Sequence, residues 1–226
     1  MSARIGVVQF PGTNCELDVM WALETLGARA ELCWHGDATV RGVDAVVVPG
    51  GFAHGDYLRT GALARFSPVM SAVTDFATAG GPVVGICNGF QVLTEAALLP
   101  GALQKNAGLK FLCQTVELRV ETTTTVLTGE CEVGQRLRIP INHFEGNYVC
   151  DDATLARLRD NDQIVVRYTD NPNGSLDDIA GICNAGRNVV GLMPHPERAS
   201  DVMLGSADGV VLLRSLLAAA GARVAV

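Results

Sequence analysis

The stretch GPVVGICNGFQVLTEAALL, residues 81–99, decides the fold. Its first part is a short apolar run rich in β-branched residues, the pattern of a strand buried on both faces. Its second part, from Gly89, takes up helical spacing at once. At the junction Cys87 stands between Gly85 and Gly89. A cysteine serving only as a small core residue has no need of glycine on both sides. In this strand-to-helix setting, G-x-C-x-G is the cysteine form of the nucleophile elbow, a tight turn with a strained central residue. The turn is expected to lift the sulfur out of the sheet edge into solvent. It also sets the sulfur at a helix N-terminus, where unpaired N–H groups favour a thiolate.

Working outward, RIGVVQF (4–10), ARAELCW (28–34) and DAVVVPGG (44–51) read as three further strands. Thr13 and Glu16 have capping-box spacing, Leu17, Met20 and Trp21 recur at helical spacing, and Gly27 is a stop signal. Residues 60–79 are helical in composition, broken or kinked at Pro68. Apolar strands alternating with helices predict a parallel sheet covered by helices, with ligands at the carboxyl ends of the strands. Gly50, Gly51 and Cys87 all fall at such ends.

Beyond residue 110 the pattern changes. CQTVELRVETTTTVLTG (113–129) alternates apolar and polar residues, and RLRIPINHFEGNYVC (136–150) and QIVVRYTD (163–170) continue it. These read as antiparallel strands extending the sheet. Residues 179–197 read as a hairpin turning near Asn184–Arg187, followed by a bend at Pro194-His195-Pro196. Residues 207–220 read as a closing helix, and the apolar stretch 209–226 as a packed helical end. No repeat or linker divides the chain, so a single domain spanning 1–226 is expected.

The bulk properties exclude several classes. Seventeen basic against 24 acidic residues give a net charge of −7, with no basic block to serve a nucleic acid or an anionic membrane. No apolar stretch reaches the roughly 20 residues of a membrane span. The first apolar run is cut short by Pro11-Gly12, unlike a signal peptide. A cytoplasmic location is expected. Seven scattered cysteines without a CxxC pair fit free thiols better than disulfides or a structural zinc site. Six of them, Cys15 among them, read as small core residues.

A nucleophilic cysteine needs a base. His195 lies in MPHPE, held extended by its flanking prolines, and in an extended segment Glu197 projects to the same side. Alone, PHPE reads more simply as a rigid surface turn. Beside Cys87 it supplies base and orienter. Backbone N–H groups of Gly51 and Asn88 are the candidates for an oxyanion hole. No phosphate-binding glycine motif is present.

With these motifs quoted, the chain resembles the class I (triad) glutamine amidotransferases. PGG, GICNGFQ and PHPE occur in that family's order. GGFAHGDYLRTGALA, INHFEGNY, NPNGS and NVVGLMPHPERA narrow the likeness to the glutaminase subunits of a purine-biosynthesis synthetase. The resemblance implies a flavodoxin-like α/β fold: a mostly parallel central sheet flanked by helices, with added antiparallel strands. It implies hydrolysis of L-glutamine through a Cys87 thioester, with His195 and Glu197 completing the triad. Gly50, Gln91 and His143 would line the substrate site. It implies no cofactor or metal in this chain. Ammonia would pass to a large synthetase subunit that uses ATP and Mg to convert formylglycinamide ribonucleotide to the amidine, with a small bridging subunit in the complex. Two other readings stay open: a cysteine hydrolase of another amide, and a regulatory binding protein that keeps the fold without the catalysis. The roles of His54, His143, Asp56 and Arg59 are also open. The last two could pair with each other or face a partner.

Overall fold

The computed structural model describes residues 2–40 and 42–221; the end of the C-terminal apolar stretch, residues 222–226, lies outside the described residues. In chain order the elements are β1 (Arg4–Gln9), α1 (Glu16–Thr25), β2 (Arg29–Trp34), β3 (Ala45–Val48), α2 (Pro68–Thr78), β4 (Val83–Ile86), α3 (Asn88–Glu95), β5 (Ala102–Gln104), β6 (Leu112–Val120), β7 (Arg136–His143), β8 (Asn147–Val149), α4 (Asp152–Asp160), β9 (Ile164–Tyr168), β10 (Ile179–Cys183), β11 (Val189–Leu192) and α5 (Val210–Ala219).

Nine strands form one sheet in the order β2-β1-β3-β4-β11-β10-β9-β6-β7. The first five run parallel, and every pair beyond β11 is antiparallel. The parallel half has the flavodoxin-like order expected, with β11 as its fifth strand. β3, β4 and β11 are buried along their whole length, as continuous Val/Ile runs require. β6 and β7 alternate buried and exposed residues along much of their length, and they carry the wetter half of the sheet. No helix among the described residues is long and apolar enough to cross a membrane.

Several local expectations are corrected. The capping box does not form: the Thr13 hydroxyl accepts from Phe10 N (3.0 Å), and Glu16 accepts from the Gln9 amide (3.0 Å). Cys15 occupies the N-cap position of α1 instead. Pro68 starts α2 as its first residue, where the missing N–H costs nothing. The strand of 113–129 stops at Val120. β8 leaves the main sheet and pairs with β5 in a separate two-stranded ribbon. α4, unassigned by hydrophobic periodicity, begins at Asp151, whose carboxylate accepts from Thr154 N (2.7 Å).

The elbow glycines are explained by close approach. A Cβ on Gly89 would overlap the Val48 carbonyl at the end of β3. One on Gly85 would lie 2.6 Å from Leu93 Cδ1 and 2.7 Å from the Gly89 carbonyl carbon. Helix α3 therefore lies directly on β3 and β4, and only glycine leaves room. Replacing Gly89 with Ala is expected to cost at least ~3 kcal/mol in chemical denaturation, or to prevent folding. The same replacement at Gly108, where a Cβ meets nothing within 4 Å, is expected to stay within about 0.5 kcal/mol of the parent.

Candidate active site

With α3 pressed onto the sheet, the chain must turn within one residue of the end of β4. Cys87 absorbs the turn with φ 51° and ψ −106°, a strained conformation for a residue with a Cβ. Its N–H donates to Leu192 O at the end of β11 (2.8 Å), and its carbonyl accepts from Gln91 N in the first turn of α3 (3.2 Å). The sulfur does not stand in open solvent as the elbow motif suggested. Cys87 is 5% exposed, and Sγ faces the Asn142 carbonyl of β7 at 3.7 Å. The last strand of the antiparallel half folds over the elbow.

β11 runs parallel to β4, with Leu192 opposite Ile86. The residues that follow each strand therefore leave the sheet together. His195 N donates to Pro140 O (2.9 Å), fixing the bend against β7. His195 Nδ1 and Glu197 Oε1 are 2.6 Å apart, and both side chains are essentially inaccessible. Burial works against the imidazolium, but Glu197, Cys87 and Cys15 together raise the imidazole well above the ordinary histidine range. A carboxylate on Nδ1 fixes the ring and leaves Nε2 for chemistry.

The glycine-rich strand end completes the mouth. A Cβ on Gly50 would lie 2.8 Å from His195 Cε1 and 3.5 Å from Cys87 Cβ, so His195 and Cys87 meet across a position that only glycine can occupy. Gly51 has φ 143°, and a Cβ there would meet Asn14 N at 2.7 Å. The loop after β1 holds this strand end: Thr13 bridges Gly51, Cys15 N donates to Gly50 O (3.2 Å), and Phe52 N donates to Gly12 O (2.9 Å). Asn88 heads α3, where its N–H has no carbonyl one turn back. Its side chain ties the loop to the helix, accepting from Ala53 N (3.0 Å) and donating to Asp56 Oδ1 (3.1 Å) and Gln91 Oε1 (2.9 Å). Gln91 in turn donates to the Glu145 carbonyl.

Cys87, His195, Glu197, Gly50, Gly51, Asn88 and Gln91 thus gather at the carboxyl edge of the parallel strands. His143 sits at the end of β7 and is buried. Its ring lies where a Gly146 side chain would be, and Nδ1 meets Asn106 Oδ1 at 3.1 Å. Burial, with His195 nearby, lowers it to about 4. It packs into the turn that also holds Glu145, and its Nε2 is buried without a hydrogen-bond partner among the described residues. His54 bonds Ser67 (3.2 Å) and stacks edge-on with His35, away from the triad bonds. Asp56 and Arg59 do not pair: Arg59 grips Glu95 through two bonds of 2.6 Å, and Asp56 takes the Asn88 amide.

Sequence reasoning missed Cys15. Its sulfur, His195 and Glu197 offer donor atoms within 4.8 Å of one another. The available signal was its place in the turn after β1, at the same sheet edge as the other loops. A cavity of about 680 Å³ has Glu197, Arg198, Asp18, Trp21, Ile141 and Asn142 among its walls, and Cys87 does not line it.

The parallel sheet with a strained cysteine elbow and a buried His–Glu pair defines a class, the thiol-dependent amidotransferases. The chain belongs to the CobB/CobQ-like glutamine amidotransferase domain family, whose model matches residues 2–207. It is 58% identical to phosphoribosylformylglycinamidine synthase subunit PurQ of Rubrobacter xylanophilus, over 96% of this chain and 99% of that one. It is 54% identical to the protein of the same name from Koribacter versatilis, over 97% and 100%. Among solved structures, a chain of PurLQS from Thermotoga maritima superposes with a TM-score of 0.89 at 41% identity, over 96% of this chain and 99% of that one. A putative GMP synthase component from Thermoplasma acidophilum shares the fold, with a TM-score of 0.69 at 16% identity, over 98% of this chain and 95% of that one.

Asp56 carries a pH signature. Burial raises its carboxyl, the Asn88 bond opposes this, and Glu145 raises it further, to about 6 from an ordinary 3.8. A carboxyl with a raised folded value contributes stability that is complete below pH ~4 and lost as pH rises through about 6. Asp56→Asn keeps an acceptor for Asn88 and removes the charge. Its stability relative to the parent is expected to grow between pH 4 and 7, reaching roughly 1–2 kcal/mol after allowance for solvent screening. Urea titrations at three pH values test this, and a difference independent of pH would refute it.

Proposed function

We propose that this chain is the glutaminase subunit of a phosphoribosylformylglycinamidine synthase, as a single amidotransferase domain spanning residues 1–226. The observation that carries the reading is the meeting of the strained Cys87 elbow with the buried His195–Glu197 pair across Gly50. Near full-length likeness to two proteins of that name supports the choice of reaction.

In this reading L-glutamine binds with its side-chain amide over Cys87. The thiolate attacks the amide carbon, and backbone N–H groups of Gly51 and Asn88 hold the oxyanion. The C–N bond breaks as His195 gives its proton to the leaving nitrogen, releasing ammonia and leaving a glutamyl thioester on Cys87. His195 then takes a proton from water, the hydroxide displaces the sulfur, and glutamate leaves. Glu197 keeps the imidazole oriented and stabilises its charged form. Gly50 and Gln91 shape the substrate site, and His143 acts by packing the turn that Gln91 contacts.

Ammonia is the useful product. It goes to a large synthetase subunit in which ATP and Mg activate the amide of formylglycinamide ribonucleotide, with a small bridging subunit joining the complex in the cytoplasm. Protection from water matters because free ammonia at neutral pH is mostly ammonium, which is not a nucleophile. The burial of Cys87 beneath Asn142 agrees with a site that is closed to bulk water until it is assembled.

The test is glutamate release from glutamine, measured with and without the synthetase subunit, its nucleotide substrate and ATP. The parent is expected to be stimulated by the partner, and Cys87→Ala to fall to background. Glu197→Gln is expected to lose roughly 10²- to 10⁴-fold in kcat. Turnover surviving in Cys87→Ala would remove the nucleophile, and robust turnover indifferent to the partner would point to a stand-alone amidase.

A further inference from the structure

Cys15 is a buried thiol that the proposed reaction does not use, yet it lies against the groups that do. It is 2% exposed. Its sulfur accepts from Arg198 Nη2 (3.2 Å), its thiol donates to Asn14 Oδ1 (3.3 Å), and its N–H is held by Gly50 O (3.2 Å). One donor atom each from Cys15, His195 and Glu197 falls within a 4.8 Å group, and all three residues are buried. His195 Nε2 and Glu197 Oε2 are buried without a hydrogen bond of normal geometry among the described residues, and the thiols of Cys15 and Cys87 both lie against the imidazole. A buried thiol, imidazole and carboxylate grouped this closely form a set of metal-ligand types.

We infer that Cys15, His195 and Glu197 form a binding site for a thiophilic divalent cation of the zinc type, distinct from the nucleophile Cys87. Thiolate, imidazole and carboxylate are all zinc ligands, and three protein ligands with an open fourth position make a common zinc arrangement. Tetrahedral coordination needs donors roughly 3.3–3.6 Å apart, a contraction within reach of side-chain rotation from the present spacing. The cation replaces two protons, that of the Cys15 thiol and that of the His195 imidazolium, and both pass to solvent. The Arg198 N–H remains on the sulfur as an outer-shell donor. Entry is through the cavity walled by Glu197, Arg198 and Asp18, whose carboxylate holds Arg198 at 3.1 Å. Occupation withdraws His195 and Glu197 from catalysis while leaving Cys87 unligated, so the site is inhibitory. The ligand set stands on geometry alone; only the inhibition rests on the glutaminase reading.

The experiment uses the full chain carrying Cys87→Ala and Cys113→Ser, which removes the nucleophile and the exposed thiol that lines the cavity mouth. Cobalt(II) is the optical probe. One equivalent is expected to give a thiolate-to-metal charge-transfer band that zinc abolishes, and adding Cys15→Ser or Cys15→Ala is expected to remove at least nine-tenths of it. A band unchanged by the Cys15 substitutions, or present only when Cys87 is intact, overturns the proposal. X-ray absorption on the zinc-loaded protein with Cys15 intact needs no Cys15 variant. One sulfur at about 2.3 Å with nitrogen and oxygen at about 2.0–2.2 Å is expected, and no sulfur, or more than one, overturns the assignment. In glutaminase assays with Cys87 restored, Cys15→Ser is expected to need at least tenfold more zinc for half-inhibition of its own basal rate. Absence of glutaminase activity in the parent would defeat the functional reading and leave the optical result standing.

Discussion

Everything at the mouth follows from how closely α3 lies on the sheet. The Val48 carbonyl occupies the space that a side chain at position 89 would need, and Leu93 occupies the space at position 85. The chain can pass from β4 into so close a helix only through a one-residue turn, and Cys87 takes the positive φ as a result. Strain at Cys87 is therefore a product of helix–sheet packing. The buried Val and Ile side chains of β3, β4 and β11 hold the sheet that imposes it. The same approach brings Asn88 to the loop after β3, where its amide orders the segment carrying the candidate oxyanion donors.

The parallel half of the fold was legible because its signals are local. Valine runs closed by Pro-Gly-Gly or Gly-x-Cys-x-Gly can hardly be anything but buried strands ending at a functional edge. His195 and Glu197 were legible because two prolines fix the backbone between them, so their two-residue spacing translates directly into a shared side. Where the meaning of a residue depends on what folds back over it, the sequence was silent. Cys87 carries no mark of the Asn142 carbonyl that covers it, because β7 arrives from 55 positions away. Thr13 and Glu16 have the spacing of a capping box, but the hydroxyl finds Phe10 N and the carboxylate finds Gln9. α4 buries only Leu155 and Leu158, too little for periodicity to reveal it. The Asp56–Arg59 pairing failed for a related reason: Glu95 offers the guanidinium two oxygens at once, while burial beside Asn88 keeps Asp56 elsewhere.

Cys15 shows a different limit. Nothing near it in the chain resembles an elbow, and as one of seven scattered thiols it had no distinguishing context. Its position becomes meaningful only because the loops after β1, β3, β4 and β11 converge. A sheet whose strands all end at one edge concentrates reactive groups there, including groups that the main reaction does not require.

The pairing of β4 with β11 also sets when the molecule becomes reactive. Leu192 lies opposite Ile86 and accepts from Cys87 N, so the strand that precedes His195 also braces Cys87. The two strands meet across more than a hundred residues of intervening chain, including the whole antiparallel half. Such a contact closes a long loop and forms after the local ones. On a ribosome, a nascent chain that has not yet delivered residues 189–197 has an elbow cysteine without the imidazole of His195 or the brace of Leu192. The thiol–imidazole pair thus arrives late in biosynthesis, together with the central strand that joins the two halves of the sheet.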